Sequence, residues 1–337
     1  MHQVIKEKVS KKPLSFPIVL GGFFVCLLIT SGVFAPYISP VSPNTQILEY
    51  RNKPPGFSGT VLYFRYRKNL PVQSVAIRSY KKTENGIYYT DFIGRDCFLE
   101  NEKLEKEWVK SFIFILGSDQ FGRDVFSRIV EGARVSLKVG FLAVVIGTGV
   151  GAVVGLVSGY FMGKLDAVVQ RLVDMWMSFP DLILALTIVA VFGNTLMNVI
   201  LAIAATILPR GVRVIRSSTI ALRETDYVLA ARAIGATSPR IIFKHILPNA
   251  MAPFLIIMSS MFGTAILTEA GLSYLGLGVA PPDPSWGSML TGTAAQMALS
   301  APWIIIFPGV AISITVMGFA FAGDAVRDIL DPKLRGR

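Results

Sequence analysis

Residues 225–249 read TDYVLAARAIGATSPRIIFKHILPN, a polar island between long apolar segments. The island carries Arg232, Arg240, Lys244 and His245, and Arg210, Arg213, Arg216 and Arg223 lie just upstream. Its punctuation predicts two short helices. The first covers about 221–234, with Gly235 as the turn, because glycine tolerates a positive φ at a helix end. Ser238 is read as the next N-cap and Pro239 as the first helical residue, where a missing N–H costs nothing. The second helix is expected to stop before Pro248. Ala230, Ala231 and Gly235 are small enough for another protein to approach closely.

Composition explains why such an island stands out. The chain has 337 residues, 52% of them hydrophobic and only 16% charged. Soluble domains carry about a quarter charged residues, so the deficit and the long apolar runs indicate an integral membrane protein. A formal net charge of +11 raises the question of nucleic acid. No nucleic-acid recognition motif is present, however, and the basic residues flank the apolar runs. Anionic lipid headgroups and membrane orientation account for them instead. Cys26 and Cys97 are not expected to pair, and no metal-ligand spacing occurs.

An all-α polytopic membrane protein with six transmembrane helices follows from the apolar runs. The first, about 16–34, ends at Pro36, and the lysines before it hold the N-terminus in the cytosol. The second, Ser136 to Tyr160, carries Gly147, Gly151, Gly155 and Gly159 every fourth residue. Such a stripe lets helices pack closely in a membrane, in this chain or with a partner subunit. The third covers about 168–191, kinked or started late by Pro180. The fourth runs from Leu196 to Leu208 and is closed by Pro209-Arg210. The fifth is 250–277 and the sixth 303–321, which places both termini in the cytosol. Four segments result: 1–36 with the first helix, an extracytoplasmic region 37–133, a core 134–322 that includes the loop 210–249, and a tail 323–337.

Within 37–133, alternation and Asn85-Gly86 predict a β-rich insert with a hairpin. A charged helical piece near 100–114 gives it mixed α/β character. The insert is read either as a solvated addition or as a platform for a substrate-binding partner. Asp119, Arg123, Asp124, Arg128 and Arg134 follow, as a scaffolding ion-pair network at the outer membrane surface.

The pattern Ala230-Ala231, Gly235 and Leu247-Pro248 resembles the cytoplasmic signature loop of binding-protein-dependent ABC import permeases. Where that family usually has glutamate, Leu229 stands. Gly122-Arg-Asp124, Gly132-Ala-Arg-Val-Ser136 and Glu269-Ala-Gly-Leu-Ser-Tyr-Leu-Gly-Leu-Gly278 resemble the dipeptide/oligopeptide C-type subgroup. The resemblance implies a type I ABC importer permease fold in a bacterial plasma membrane. It implies a homologous second permease, two ATP-binding cassette subunits that bind ATP and Mg, and an extracytoplasmic substrate-binding protein. Ala230, Ala231, Gly235, Leu247 and Pro248 would be the ATPase-coupling residues. A permease for nickel or another small ligand is the nearest alternative, and an ion-coupled secondary transporter the next.

Glu269 lies in the fifth apolar run. An acid there is costly and marks a functional candidate, so it is read as either a gating or a structural group. The sequence leaves the substrate-binding residues unassigned. No Gly-x4-Gly-Lys-Ser/Thr phosphate loop is present, and no nucleophile and base stand out. The chain is therefore not expected to be an enzyme or to bind a cofactor itself.

Overall fold

The computed structural model describes residues 16–330 apart from 66–69, 71, 293–295 and 298. The basic N-terminal segment 1–12 and the tail's Lys333, Arg335 and Arg337 lie outside the described residues. Helix α1 (Phe16–Val33) and the single turn α2 (Ala35–Ile38) lead into a five-stranded antiparallel sheet. Its strands are β1 (Phe57–Phe64), β2 (Gln73–Lys82), β3 (Gly86–Asp91), β4 (Asp96–Glu100) and β5 (Leu104–Phe114), in the order β4-β3-β2-β1-β5. The expected helical piece near 100–114 is a strand. Its lysines and glutamates favour a helix locally, but Phe57 to Leu62 of β1 bond to it in register with Phe114 to Val109, and pairing overrides propensity. Between α2 and the helix that opens at Val125, the described residues of the insert form only these strands and two 3-10 turns. The hairpin at Asn85 is present, yet Gly86 opens β3 rather than taking a left-handed turn position. A Cβ there would run into the Leu99 carbonyl and the Phe98 ring.

The sheet is fastened to the helical body by backbone. Asn52 N–H donates to the Asp119 carbonyl at 3.1 Å and Ser118 N–H to the Lys53 carbonyl at 3.0 Å. Trp303 Nε1 donates to the Ser118 carbonyl at 3.1 Å, which ties in the start of the last helix.

The body consists of α3 (Val125–Phe161), α4 (Gly163–Met177), α5 (Asp181–Phe192) and α6 (Leu196–Arg223), followed by α7 (Asp226–Ala233) and α8 (Ser238–Ile241). A π-turn over Ile242–Ile246 leads into α9 (Leu247–Tyr274); α10 (Trp286–Met289) and α11 (Trp303–Leu330) complete it. Four helical runs among the described residues are long and apolar enough to cross a membrane, or five if α4 and α5 form one bent span.

Several boundaries differ from expectation: the second span begins at Val125 rather than Ser136, the helix read over 221–234 is α7 from Asp226, and the chain around three prolines runs otherwise than read. The third span is broken: α4 and α5 meet at 88°, because the chain turns at Ser178-Phe179-Pro180 and proline cannot continue a helix interior. Alone, α5 has 12 residues, about 18 Å of helix against a core of about 30 Å. Conversely, Pro209 does not close the fourth span. It is buried inside α6, whose 28 residues run past it to Arg223; membrane helices tolerate an interior proline when neighbours cover the freed carbonyl. Nor does Pro248 stop a helix. The wide turn at Ile242–Ile246 shifts the hydrogen-bond ladder just ahead of it, so helix continues from Ser238 to Tyr274.

The centre of the body is the crossing of α3 on α6. A Cβ at Gly147, Gly151 or Gly155 would stand 2.6 Å from the carbonyl oxygen of Ala204, Leu208 or Val212 respectively, and one at Gly159 2.9 Å from that of Arg216. Both sets recur every fourth residue, so the glycine stripe of α3 lies along one row of α6 carbonyls, within this chain. Val139, Ala143, Ala185, Val189, Ile200 and Ile203 close the core beside that crossing.

Candidate coupling surface and membrane-embedded acid

The end of the body opposite the sheet carries the 225–249 island. Thr225 precedes α7, and the helix ends in a Schellman motif: Ala236 N–H donates to the Ala231 carbonyl and Gly235 N–H to that of Arg232, each at 3.0 Å. Gly235 sits at φ +83°, where a side chain is strained although space is open around it. The next helix is capped at Thr237, one residue earlier than the Ser238 read from sequence.

The five residues singled out from the motif do not share one face. Ala230, Gly235 and Pro248 are exposed and Leu247 is half-buried. Ala231 is buried against Val228, Ile241 and Ile246 of its own chain. Its smallness therefore serves the packing of α7 on α8, not an approaching protein. What the surface does offer is apolar. Ile234 is 86% exposed and Phe243 68%, flanked by Leu229 and Tyr227. Their mark in the sequence is that they are large apolar residues in a polar island.

The upstream arginines are not free lipid contacts. Arg210 pairs with Asp181 at 2.5 Å, Arg213 with Asp174 at 2.7 Å and Arg216 with Asp166 at 2.6 Å. Arg216 uses both Nε and a terminal nitrogen on Asp166, and the Ser158 hydroxyl donates to the same carboxylate at 2.5 Å. About two turns of α6 are thereby laced to α4 and the first residue of α5. Between them, at the α4–α5 elbow, lies a cavity of about 260 Å³ bordered by Trp176, Pro180, Thr206 and Pro209.

At the sheet end, Asp119 pairs with Arg123 at 2.6 Å and reaches Arg128 at 3.8 Å. Asp124 stands apart as the N-cap of α3, accepting from Ser127 N–H at 2.8 Å; burial raises its carboxyl above the usual range. Arg134 pairs with Glu131 instead. Only three members of the expected five-residue network therefore join. One turn deeper, Glu269 is fully buried. It accepts from Ser273 Oγ at 2.7 Å and from Ser136 Oγ at 3.3 Å. Its hydrogen-bond partners among the described residues are serine hydroxyls. Trp286 is 2% exposed, with Nε1 donating to the Ile129 carbonyl at 2.9 Å. Gly132 leaves the room for it: a Cβ there would be 2.9 Å from its ring. No cluster of three metal-ligating side chains forms among the described residues.

The sequence profile of the family described as "binding-protein-dependent transport system inner membrane component" matches residues 151–336, from the glycine stripe through the island to the last helix. The chain belongs to that family. A second profile, the N-terminal transmembrane domain of oligopeptide transport permease C, matches residues 18–55 of this inner-membrane component. The sheet lies between the two matched segments.

Among curated relatives, a dipeptide transport system permease of Alkalihalophilus pseudofirmus is 47% identical over 219 residues, covering 65% of this chain and 72% of the relative. A glutathione transport system permease of Pectobacterium atrosepticum is 41% identical over 220 residues, covering 65% and 73%. A solved methionine ABC transporter, titled as inward-facing, aligns with a TM-score of 0.51 at 21% identity, over 60% of this chain and 96% of that one. The helical body therefore has the type I ABC importer permease fold.

Proposed function

We propose that this inner-membrane component is the C-type permease subunit of an ATP-driven importer that takes up peptides delivered by a substrate-binding protein. The observation that carries the reading is the 225–249 island. It is a rigid helix–turn–helix with exposed Ile234 and Phe243, mounted on a membrane body that has no phosphate-binding loop of its own. A transporter built this way takes its energy from a subunit docked there. Two ATPases would bind ATP and Mg, a homologous second permease would complete the path, and membrane lipid would surround both.

Six crossings fit the chain: α1, α3, the bent α4–α5 pair, α6, the continuous α8–α9 run and α11. In that reading the sheet is extracytoplasmic, and the island and both termini are cytosolic. The peptide-permease names of the relatives favour peptides over a nickel ligand.

The test is purification of the tagged chain from native membranes in mild detergent, followed by reconstitution of its companions in liposomes. ATP-binding subunits and a second permease should copurify, and uptake of short peptides should require ATP and the binding protein. A chain recovered only with itself would end this reading. Gly235→Trp places a large side chain at φ +83° on the docking surface. It should insert normally yet lose the ATPases and uptake; normal transport by that variant would reject the docking role.

A further inference from the structure

Beyond the coupling surface, the body holds at its other end a buried polar cluster around Glu269 that the proposed function leaves unused. Glu269 on α9 accepts hydrogen bonds from Ser273 one turn later and from Ser136 on α3. Ser285 Oγ donates to Ser273 Oγ at 3.0 Å and accepts the Ser288 N–H at 3.2 Å, as the N-cap of α10. All four side chains are buried or nearly so: Glu269, Ser136 and Ser285 are 0% exposed and Ser273 2%. Three segments are therefore joined by one carboxyl–hydroxyl chain, namely α3, α9 and the loop that carries α10.

The loop is seated as closely as the acid suggests. A Cβ at Gly287 would overlap the Ala270 carbonyl, and one at Gly278 would overlap Ser273 Oγ. Trp286 plugs the space over Gly132. Apolar contact makes a tight fit, but it is not directional. The hydroxyl–carboxyl chain is what sets the angle of the α10 cap relative to α9. A buried polar network holds such geometry only when every member is satisfied, and here each oxygen has a partner.

We propose that Glu269 is the positioning residue for the α10 loop: through Ser273 it holds Ser285, and so keeps residues 278–289 closed over the sheet end of the α3–α9 contact. Hydrogen bonding, not charge, is what the site asks of residue 269. A glutamine keeps an acceptor for Ser273 and an amide for Ser136, while an alanine strips the Ser136 hydroxyl of this partner and leaves Ser273 bonded to Ser285 alone. The consequence for import rests on the permease reading above, in which this end faces the binding protein and the loop is its outer gate. The positioning itself does not rest on it.

The experiment separates the two. In a chain that carries Cys26→Ser and Cys97→Ser, Thr291→Cys beside α10 reports loop opening. Its labelling by a membrane-impermeant maleimide is measured in intact spheroplasts. Glu269→Ala should raise the labelling rate about tenfold, the order expected when buried hydroxyls lose a partner, while Glu269→Gln stays within about twofold of the parent. Ser285→Ala, which cuts the link but keeps the acid, should raise it by a smaller factor, and it serves if Glu269→Ala fails to insert. A label rate unmoved by both alanine variants would overturn the proposal. So would a Gln variant as open as the Ala variant, since charge would then be the requirement. In liposomes holding the whole complex, the Ala variants should hydrolyse ATP without binding protein faster than the parent and import less. Labelling that rises without that uncoupling would retain the positioning and reject the gate.

Discussion

At the sheet end a single acid, Glu269, is enclosed by helices and answered by serines of α3 and α9, with Ser285 bonded behind the second of them. At the opposite end three acids, Asp166, Asp174 and Asp181, are answered by three arginines of α6. Most of those pairs keep contact with solvent: the side chains of Arg213 and Asp174 are 48% and 52% exposed, whereas Asp166 is 11% exposed. Hydroxyls suit a site that must stay packed, because they satisfy a carboxyl without adding a second charge that would itself have to leave water. Arginines suit a surface whose helices meet at a steep angle, where long side chains span gaps that backbone cannot close. The first arrangement fixes a loop, and the second laces an amphipathic helix, α4, onto a neighbour.

Between the two ends runs the α3–α6 crossing, and the strongest way to break the comparison is to spoil that shared spine. Gly151→Leu would put its Cβ 2.6 Å from the Leu208 carbonyl and 3.0 Å from Val212 N. With backbone on the other side there is nothing to yield, so the expected cost is about 3 kcal/mol or more. The readout is the yield of monodisperse protein in detergent and its melting temperature. Gly149→Leu is the control, since nothing lies within 4 Å of a Cβ there; equal losses in both would remove the stripe from the account.

The lacing can be graded next. Arg216→Ala strips the bidentate partner from a largely buried Asp166. Because Arg216 keeps 29% exposure, the cost should fall below the range for a fully buried pair, at about 2 kcal/mol. Arg213→Ala should cost less than about 1 kcal/mol, as exposed pairs do. A double-mutant cycle on each pair, read by thermal unfolding, checks the order. Raising salt should erase the Arg213–Asp174 coupling before the Arg216–Asp166 one, and the reverse order would contradict the burial argument.

The smallest effect belongs to the sheet. Asp91 accepts from the N–H groups of Ile93, Gly94 and Arg95 and from Arg95 Nε at 2.7–3.0 Å. The Arg95 backbone N–H, with the Arg95 side chain and Gly94 N–H beside it, holds its carboxyl below the ordinary carboxylate range. A depressed folded-state value means stability that is present above the unfolded value of about 3.9 and lost as the pH falls through the lower folded one. Melting of the parent should therefore drop more steeply below about pH 4 than that of Asp91→Asn. Parallel curves would show that the turn does not report on this acid.

How much of this could be read beforehand depended on what each contact is made of. The glycine stripe was visible because its signal is a side-chain pattern. Its partner was not, because Ala204, Leu208, Val212 and Arg216 meet it with carbonyl oxygens, and backbone leaves no mark in sequence. The 225–249 motif located the helix pair and the Gly235 turn, yet spacing alone could not tell that Ala230 faces out while Ala231 faces in. Pro209 and Pro248 misled for a related reason. A proline states what bond is missing, whereas continuation of the helix depends on the neighbours and the π-turn that make good the loss. In the insert, the Leu104–Phe114 strand was obscured by residues that favour a helix until β1 is placed beside it. The arginines were read as orientation marks because the aspartates that pair with them lie 29 to 50 residues away in the chain.

The π-turn has one more consequence. Because it lets helix run unbroken from Ser238 to Tyr274, Phe243 and Glu269 ride on the same rod, 26 residues and about 39 Å apart at 1.5 Å per residue. A rod has no loop in which a push can dissipate. Tilt or rotation imposed beside Phe243 would arrive at Glu269 as lever motion, and the joints at which the rod can bend are the wide turn at Ile242–Ile246, around Phe243 itself, and Pro253 inside α9.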